Sequence, residues 1–124
     1  MRFTYQQIDE LHTAYLILPF KVESLLTAAE NITKLKTHLE TLLTVKSKLI
    51  KQYNKGAESI SSSDKGWTRF TEDYNKALVK EVEINDLAKL KKTDIDISNP
   101  PLNNGQKINL QGPISVLLSK GLLE

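Results

Sequence analysis

Apolar side chains recur at alternating steps of three and four through the middle of the chain: Leu25, Ala28, Ile32, Leu35, Leu39, Leu42, Leu49 and Tyr53. That spacing is the signature of one face of an α-helix. Only Lys46 interrupts the series, at a point where an aliphatic stem can lie along a core while the ammonium reaches water. No glycine and no further proline falls between Pro19 and Tyr53, so the pattern predicts one long helix over residues 19–54. Proline suits its first turn, where a missing N–H costs nothing. Asn54, Lys55 and Gly56 then supply the left-handed stop and a cation at the negative end of the dipole.

A first helix over residues 4–18 is predicted by Ile8, Leu11, Tyr15 and Leu18. Thr4 and Gln7 have capping-box spacing, and Phe3 with Ile8 occupies the positions of a hydrophobic staple. Pro19 separates the two helices. Residues 55–66, rich in serine, read as a mobile polar loop. Trp67, Phe70, Tyr74, Ala77 and Leu78 restart the helical period over residues 67–80. The short loop turns this helix back antiparallel on the long one, with Tyr53 expected near Trp67 and Phe70.

After Lys80 the period changes to two. Glu81–Ile84, Asp94–Ile97 and Lys107–Leu110 alternate polar with apolar, as half-buried strands do. Residues 86–92 read as a helical turn between strands, and Asn99-Pro100-Pro101 and Asn103-Asn104-Gly105 as turns. Pro113 opens a short last helix with Ile114, Leu117 and Leu118 inward, closed by Gly121. The expected fold is mainly α: a long antiparallel helical hairpin plus an N-terminal helix. Residues 81–124 form a tail with a small antiparallel β element and a short helix. With 124 residues this is one domain.

Chemistry is sparse along this frame. The chain contains no cysteine, which removes disulfides, thiolate nucleophiles and Cys-ligated zinc. No apolar run reaches the ~18 residues of a membrane span, and the N-terminal segment lacks the basic start and long apolar run of a signal peptide. His12 and His38 are the only histidines; neither belongs to an HExxH spacing. Ser61, Ser62 and Ser63 sit in no GxSxG elbow, and the glycines are too scattered for a phosphate-cradling loop. Asp94 and Asp96 would share one strand face, where edge charges against aggregation are commoner than a cation site. A hydrolase or metal enzyme would need these groups to converge in one pocket. The expectation is therefore no enzyme, no cofactor and no metal.

Charge is distributed unevenly. Residues 34–55 hold six lysines against Glu40, while residues 1–33 are net acidic. Lys34, Lys48, Lys51 and Lys55 fall broadly on the side of the long helix away from its apolar stripe, and form a candidate site for phosphates or an acidic protein face. The third helix is too short to cover the long one, so any stripe left bare calls for a partner; self-association or a protein partner comes first, nucleic acid second, and no membrane.

The order of features also resembles a known layout. Leu18-Pro19-Phe20-Lys21 opens a long helix and Leu49-Ile50-Lys51-Gln52-Tyr53 closes it. Phe70, Leu78, Glu81-Val82-Glu83-Ile84 and Ile114-Ser115-Val116-Leu117-Leu118 follow in turn. Over residues 18–124 this resembles a family of short uncharacterised proteins from tailed bacteriophages and prophages. The resemblance implies a phage origin, a place in the host cytoplasm or virion, and an accessory role. Together these readings give an expected protein–protein interaction module, serving virion assembly or modulating a host protein such as a defence system. The alternative is a nucleic-acid-binding accessory protein that uses the lysine face.

Overall fold

The computed structural model describes residues 1–124. Its backbone is the 32-residue helix α2, Val22–Tyr53, about 48 Å long at 1.5 Å per residue. Two shorter helices lie along it end to end. Helix α1, Tyr5–Ile17, covers the N-terminal half, and α3, Trp67–Leu78, covers the C-terminal half. The Tyr5 N–H donates to the Lys80 carbonyl at 3.2 Å, which joins the start of α1 to the end of α3 near the middle of α2. A mainly α hairpin with an N-terminal helix and small β elements is therefore the observed architecture.

Local chemistry explains the ends of these helices. The Thr4 hydroxyl accepts from the Gln7 N–H at 3.1 Å, and the Gln7 amide oxygen accepts from the Thr4 N–H at 2.9 Å, a complete capping box. Phe3 and Ile8 are both buried beside it. The break after α1 extends from Leu18 to Lys21, so α2 starts at Val22 rather than at Pro19. The reason is pairing: the Lys21 N–H donates to Asp94 O (2.8 Å), and Pro19 O accepts from the Asp96 N–H (2.7 Å). These bonds hold the proline segment extended. Lys55 and Gly56, with φ of 48° and 80°, close α2, and the Gly56 N–H reaches Lys51 O.

The core lies under the α1–α2 pair. Ile8, Leu11 and Tyr15 of α1 meet Ala28 and Leu35 of α2, and the tail supplies Leu117, Leu122 and Leu123. Each fully buried leucine or isoleucine contributes about 1.5–3 kcal/mol relative to exposure. Leu25, expected in the core, is half exposed instead.

The tail departs furthest from its sequence pattern. Strand β2, Glu81–Glu83, exists, but its antiparallel partner is β1, Arg2–Thr4, at the other end of the chain, with Phe3 opposite Val82. Residues 84–89 carry no regular secondary structure rather than forming a helical turn, and Ala88 is bonded to Asn31 of α2. The expected strand at 94–97 is replaced by a 3-10 turn, Lys92–Asp94, and a single bridge from Ile95 to Phe20. Hence Asp94 and Asp96 share no strand face. Of 107–110 only Lys107 is in a strand: β3, Leu102–Asn103, and β4, Gln106–Lys107, form a separate tight hairpin. Asn104 and Gly105 turn it, both at positive φ. Helix α4, Gln111–Ser119, starts two residues before Pro113, which still falls in the first turn. Leu117 is inward but Leu118 faces outward. Gly121, at φ 73°, closes the helix as expected. The chain then runs beside Leu90, which exchanges N–H and carbonyl bonds with Leu122 and Glu124.

Asp94 binds the tail to α2. Its carboxylate accepts from the Lys91 N–H and from the Ser24 hydroxyl, both at 2.7 Å. The Lys91 N–H first, then the Ser24 hydroxyl, hold Asp94 below the ordinary carboxylate value of 3.8. A folded-state value lowered in this way gives stability that is present above 3.8 and lost as pH falls through the lower folded value. Acid denaturation of Asp94→Asn should therefore be flatter than that of the wild type, the two stability curves meeting at the acid end. Curves that stay parallel to pH 2 would show that this carboxylate is not linked to folding.

Candidate interaction surface

The four lysines singled out in the sequence do not act together. Lys34 is half-buried on the flank of α2 where the tail crosses. Its ammonium donates to Asp86 O at 2.6 Å and stands 3.5 Å from the Asp86 carboxylate. Lys34 is thus a tail-holding residue. Lys48, Lys51 and Lys55 remain exposed, and none takes part in an ion pair within the chain. Lys46 behaves as its place in the stripe implied. Its stem lies between α2 and α3 and its ammonium sits 5.6 Å above the Tyr74 ring.

The residues expected to form one aromatic cluster divide. Trp67, Phe70 and Tyr74 pack in a row along α3, with centroids 5.8 and 5.7 Å apart, the first pair tilted and the second stacked. Tyr53 instead donates its hydroxyl to Asp73 and lies under the Arg69 guanidinium. That hydrogen bond is the main cause of two opposite shifts: it lowers the Asp73 carboxyl and raises the Tyr53 phenol. The pair ties the tip of the hairpin shut. Behind it, the serine loop is organised by Asp64, which accepts from the Ser61 N–H at 2.8 Å, and by Asn54, which donates to Ser59 O at 2.7 Å.

Where α1 and α3 meet over α2, an open groove of about 400 Å³ carries Asp9, His12, Lys36, Glu40 and Tyr74. Burial, and secondarily the Asp9 carboxylate, raise the Tyr74 phenol. His38 does not line this groove. No group of three His, Asp or Glu side chains is close enough together to hold a metal ion. Asp96 is engaged with the Ser98 hydroxyl at 2.6 Å.

A further feature is the outer face of α2, the side opposite Ala28 and Leu35. At its N-terminal end Val22 is 83% exposed and Leu26 72%. Further along it, Thr33, Thr37 and Thr44 donate their hydroxyls to the carbonyls four residues back, at 3.0, 3.2 and 3.1 Å. A threonine bonded to its own helix has no donor left to satisfy and presents its methyl group. The face is therefore less polar than its composition suggests.

Asn31 was not among the residues expected to matter. It is completely buried. Its amide donates to Ala88 O (2.8 Å) and to the Tyr15 hydroxyl (3.0 Å), and accepts from the Ala88 N–H (3.0 Å). It thereby fixes the tail to both α1 and α2. The signal was present: a polar residue stands between Ala28 and Leu35 at three–four spacing, on the buried side of an otherwise apolar stripe.

No family model, curated protein or solved structure matches this chain. The geometry of the exposed helix face therefore carries the functional argument. No helix in the structure is long and apolar enough to cross a membrane.

Proposed function

We propose that this chain is a non-enzymatic protein–protein interaction module of a tailed phage or prophage. Its role is in virion assembly or in modulation of a host protein, such as a component of a defence system. The phage assignment rests on the layout resemblance of residues 18–124. The interaction reading rests on one observation, the exposed outer face of α2. That face runs along α2, carries Val22 and Leu26 in the open, and has its threonine hydroxyls already satisfied. Exposed apolar side chains that lie next to one another, as Val22 and Leu26 do one helical turn apart, mark association surfaces.

A photo-crosslinking residue at Leu26 or Thr37, activated in cells producing the chain together with its phage or prophage, tests the reading. The expected result is a discrete protein adduct from both positions and none from the loop residue Ser62. Absence of any protein adduct from either helix position overturns it.

A second reading is favoured by Lys48, Lys51 and Lys55, which are exposed without acidic partners. It is binding of nucleic acid through that end of α2. Such binding releases counterions and weakens steeply with salt, and charge reversal at Lys48 and Lys51 would abolish it. A 260/280 nm ratio typical of protein after purification at low salt, with no retention on a nucleic-acid column, removes this reading.

A further inference from the structure

From the charge order along α2 we infer that the partner of its outer face is a second copy of this chain, lying antiparallel. This rests on the interaction-module reading and names the occupant.

Glu23, Glu30 and Lys48 are separated by about two and five whole turns of a 3.6-residue helix, so they fall on one flank of the outer face. All three are exposed, and none is in an ion pair within the chain. The flank is thus acidic at its N-terminal end and basic at its C-terminal end, with Lys51 and Lys55 beside Lys48 on the adjoining strip. Two such helices placed side by side in parallel bring this flank against the opposite flank of the second copy, so its acidic and basic ends never meet. In an antiparallel pair related by a two-fold axis, the same flanks meet each other, and acid meets base. With the axis crossing α2 between His38 and Leu39, Glu30 stands beside the second copy's Lys48, and Glu23 beside its Lys51–Lys55 end. On the opposite flank Lys36 and Glu40 straddle the axis, so each Lys36 faces the other copy's Glu40.

The seam between these flanks agrees with the same register. Leu26, Thr33, Thr37, Thr44 and Lys51 lie within about 20° of one line along the helix at 100° per residue, so they form the strip between the two flanks. The antiparallel register puts Thr33 against Thr44 and Leu26 against the aliphatic stem of Lys51. The threonine hydroxyls are bonded to their own helix, so burying the seam strands no donor. The small side chains there let two backbones approach closely.

Sedimentation equilibrium with charge-swapped chains tests the assignment. The wild type is expected at twice 14.0 kDa, dissociating as salt screens the ion pairs. Glu30→Lys and Lys48→Glu each place like charges together twice per dimer, and each should weaken association by about tenfold or more. The combined Glu30→Lys/Lys48→Glu chain should return to within about threefold of the wild type, because the pairs re-form with signs exchanged. All these positions are exposed, so folding is not at stake. Because the chain has no cysteine, orientation can be read directly: Leu26→Cys/Lys51→Cys should form a disulfide-linked dimer, and Leu26→Cys alone should not. A wild type that stays monomeric at 100 µM overturns the self-pairing, and so does failure of the combined swap to restore it. Cross-linking by Leu26→Cys alone would establish a parallel pair and also overturn it. A photo-crosslinked adduct to a different protein in the same cells would leave the module reading standing without this inference.

Discussion

Replacing Asn31 with alanine is expected to lower the unfolding free energy by about 3 kcal/mol, the sum of one buried polar deletion and its orphaned partners. The side chain is completely buried and makes three hydrogen bonds, two of them to the backbone of Ala88. Alanine leaves the Ala88 N–H and carbonyl and the Tyr15 hydroxyl without a partner, and opens a void between α1, α2 and the tail. Tyr15→Phe removes only one of those bonds and should cost about 1 kcal/mol. The pair should be strongly non-additive, because the second change removes an interaction that the first has already broken. Urea unfolding provides the free energies, and amide exchange at Ala88 locates the effect: its protection should fall further in Asn31→Ala than that of α3. A loss below about 0.5 kcal/mol, the range of an ordinary surface change, would show that the tail is held by its apolar contacts alone.

Asn31 also shows where reading the sequence stops. The three main helices follow from local rules, since period, caps and stop residues are encoded within a few positions of one another. Thr4 with Gln7, and Lys55 with Gly56, act where they stand. The tail obeys partners that lie far away in the chain. Glu81–Ile84 alternates correctly, but alternation does not say which strand will pair with it, and the partner is Arg2–Thr4. Asp94–Ile97 alternates equally well, yet the segment opposite it is the proline turn between α1 and α2. That turn offers only short extended backbone, so a single bridge forms. The same limit split the lysine set. Lys34 lies near Lys48 on a helical wheel, and nothing local reveals that Asp86 will be brought against it.

The burial of one face of α2 and the exposure of the other have a common origin. α1 and α3 share a single side of the long helix, and the tail is pinned along the adjoining flank by Asn31, Lys34 and Asp94. Those three contacts use the polar groups nearest the tail. Glu23, Glu30, Lys48 and Lys51 are left outside every ion pair the chain makes. A face that remains bare after the molecule has satisfied its own core, with charges in opposed blocks, is the basis of the association proposed above.

The hairpin tip supports a second large expected effect. Gly66→Ala should cost about 3 kcal/mol, at the upper end of the range for overpacking. Gly66 has an ordinary φ of −82°, so conformational freedom is not why glycine stands there. Space is: a Cβ at this position would overlap the Tyr53 carbonyl oxygen and lie 2.8 Å from the Tyr53 Cβ and 2.9 Å from its carbonyl carbon. Backbone atoms of the last turn of α2 cannot rotate away as a flexible side chain would. The start of α3 must therefore move out, against the burial of Phe70 and the Tyr53–Asp73 bond. Gly56→Ala is the informative contrast. Gly56 has φ of 80°, but nothing lies within 4 Å of its added Cβ, so only the left-handed strain of about 1 kcal/mol is expected. By conformational rules alone Gly56 is the more sensitive glycine; by packing, Gly66 is. Thermal or urea unfolding of the two variants decides between these orders. The fluorescence of Trp67, the only tryptophan, should change in Gly66→Ala and not in Gly56→Ala, because it reports the α2–α3 contact directly. Equal losses in the two variants would mean that α3 can slide off Tyr53 at little cost, and that the tip is held by the Trp67–Phe70–Tyr74 row rather than by close backbone approach.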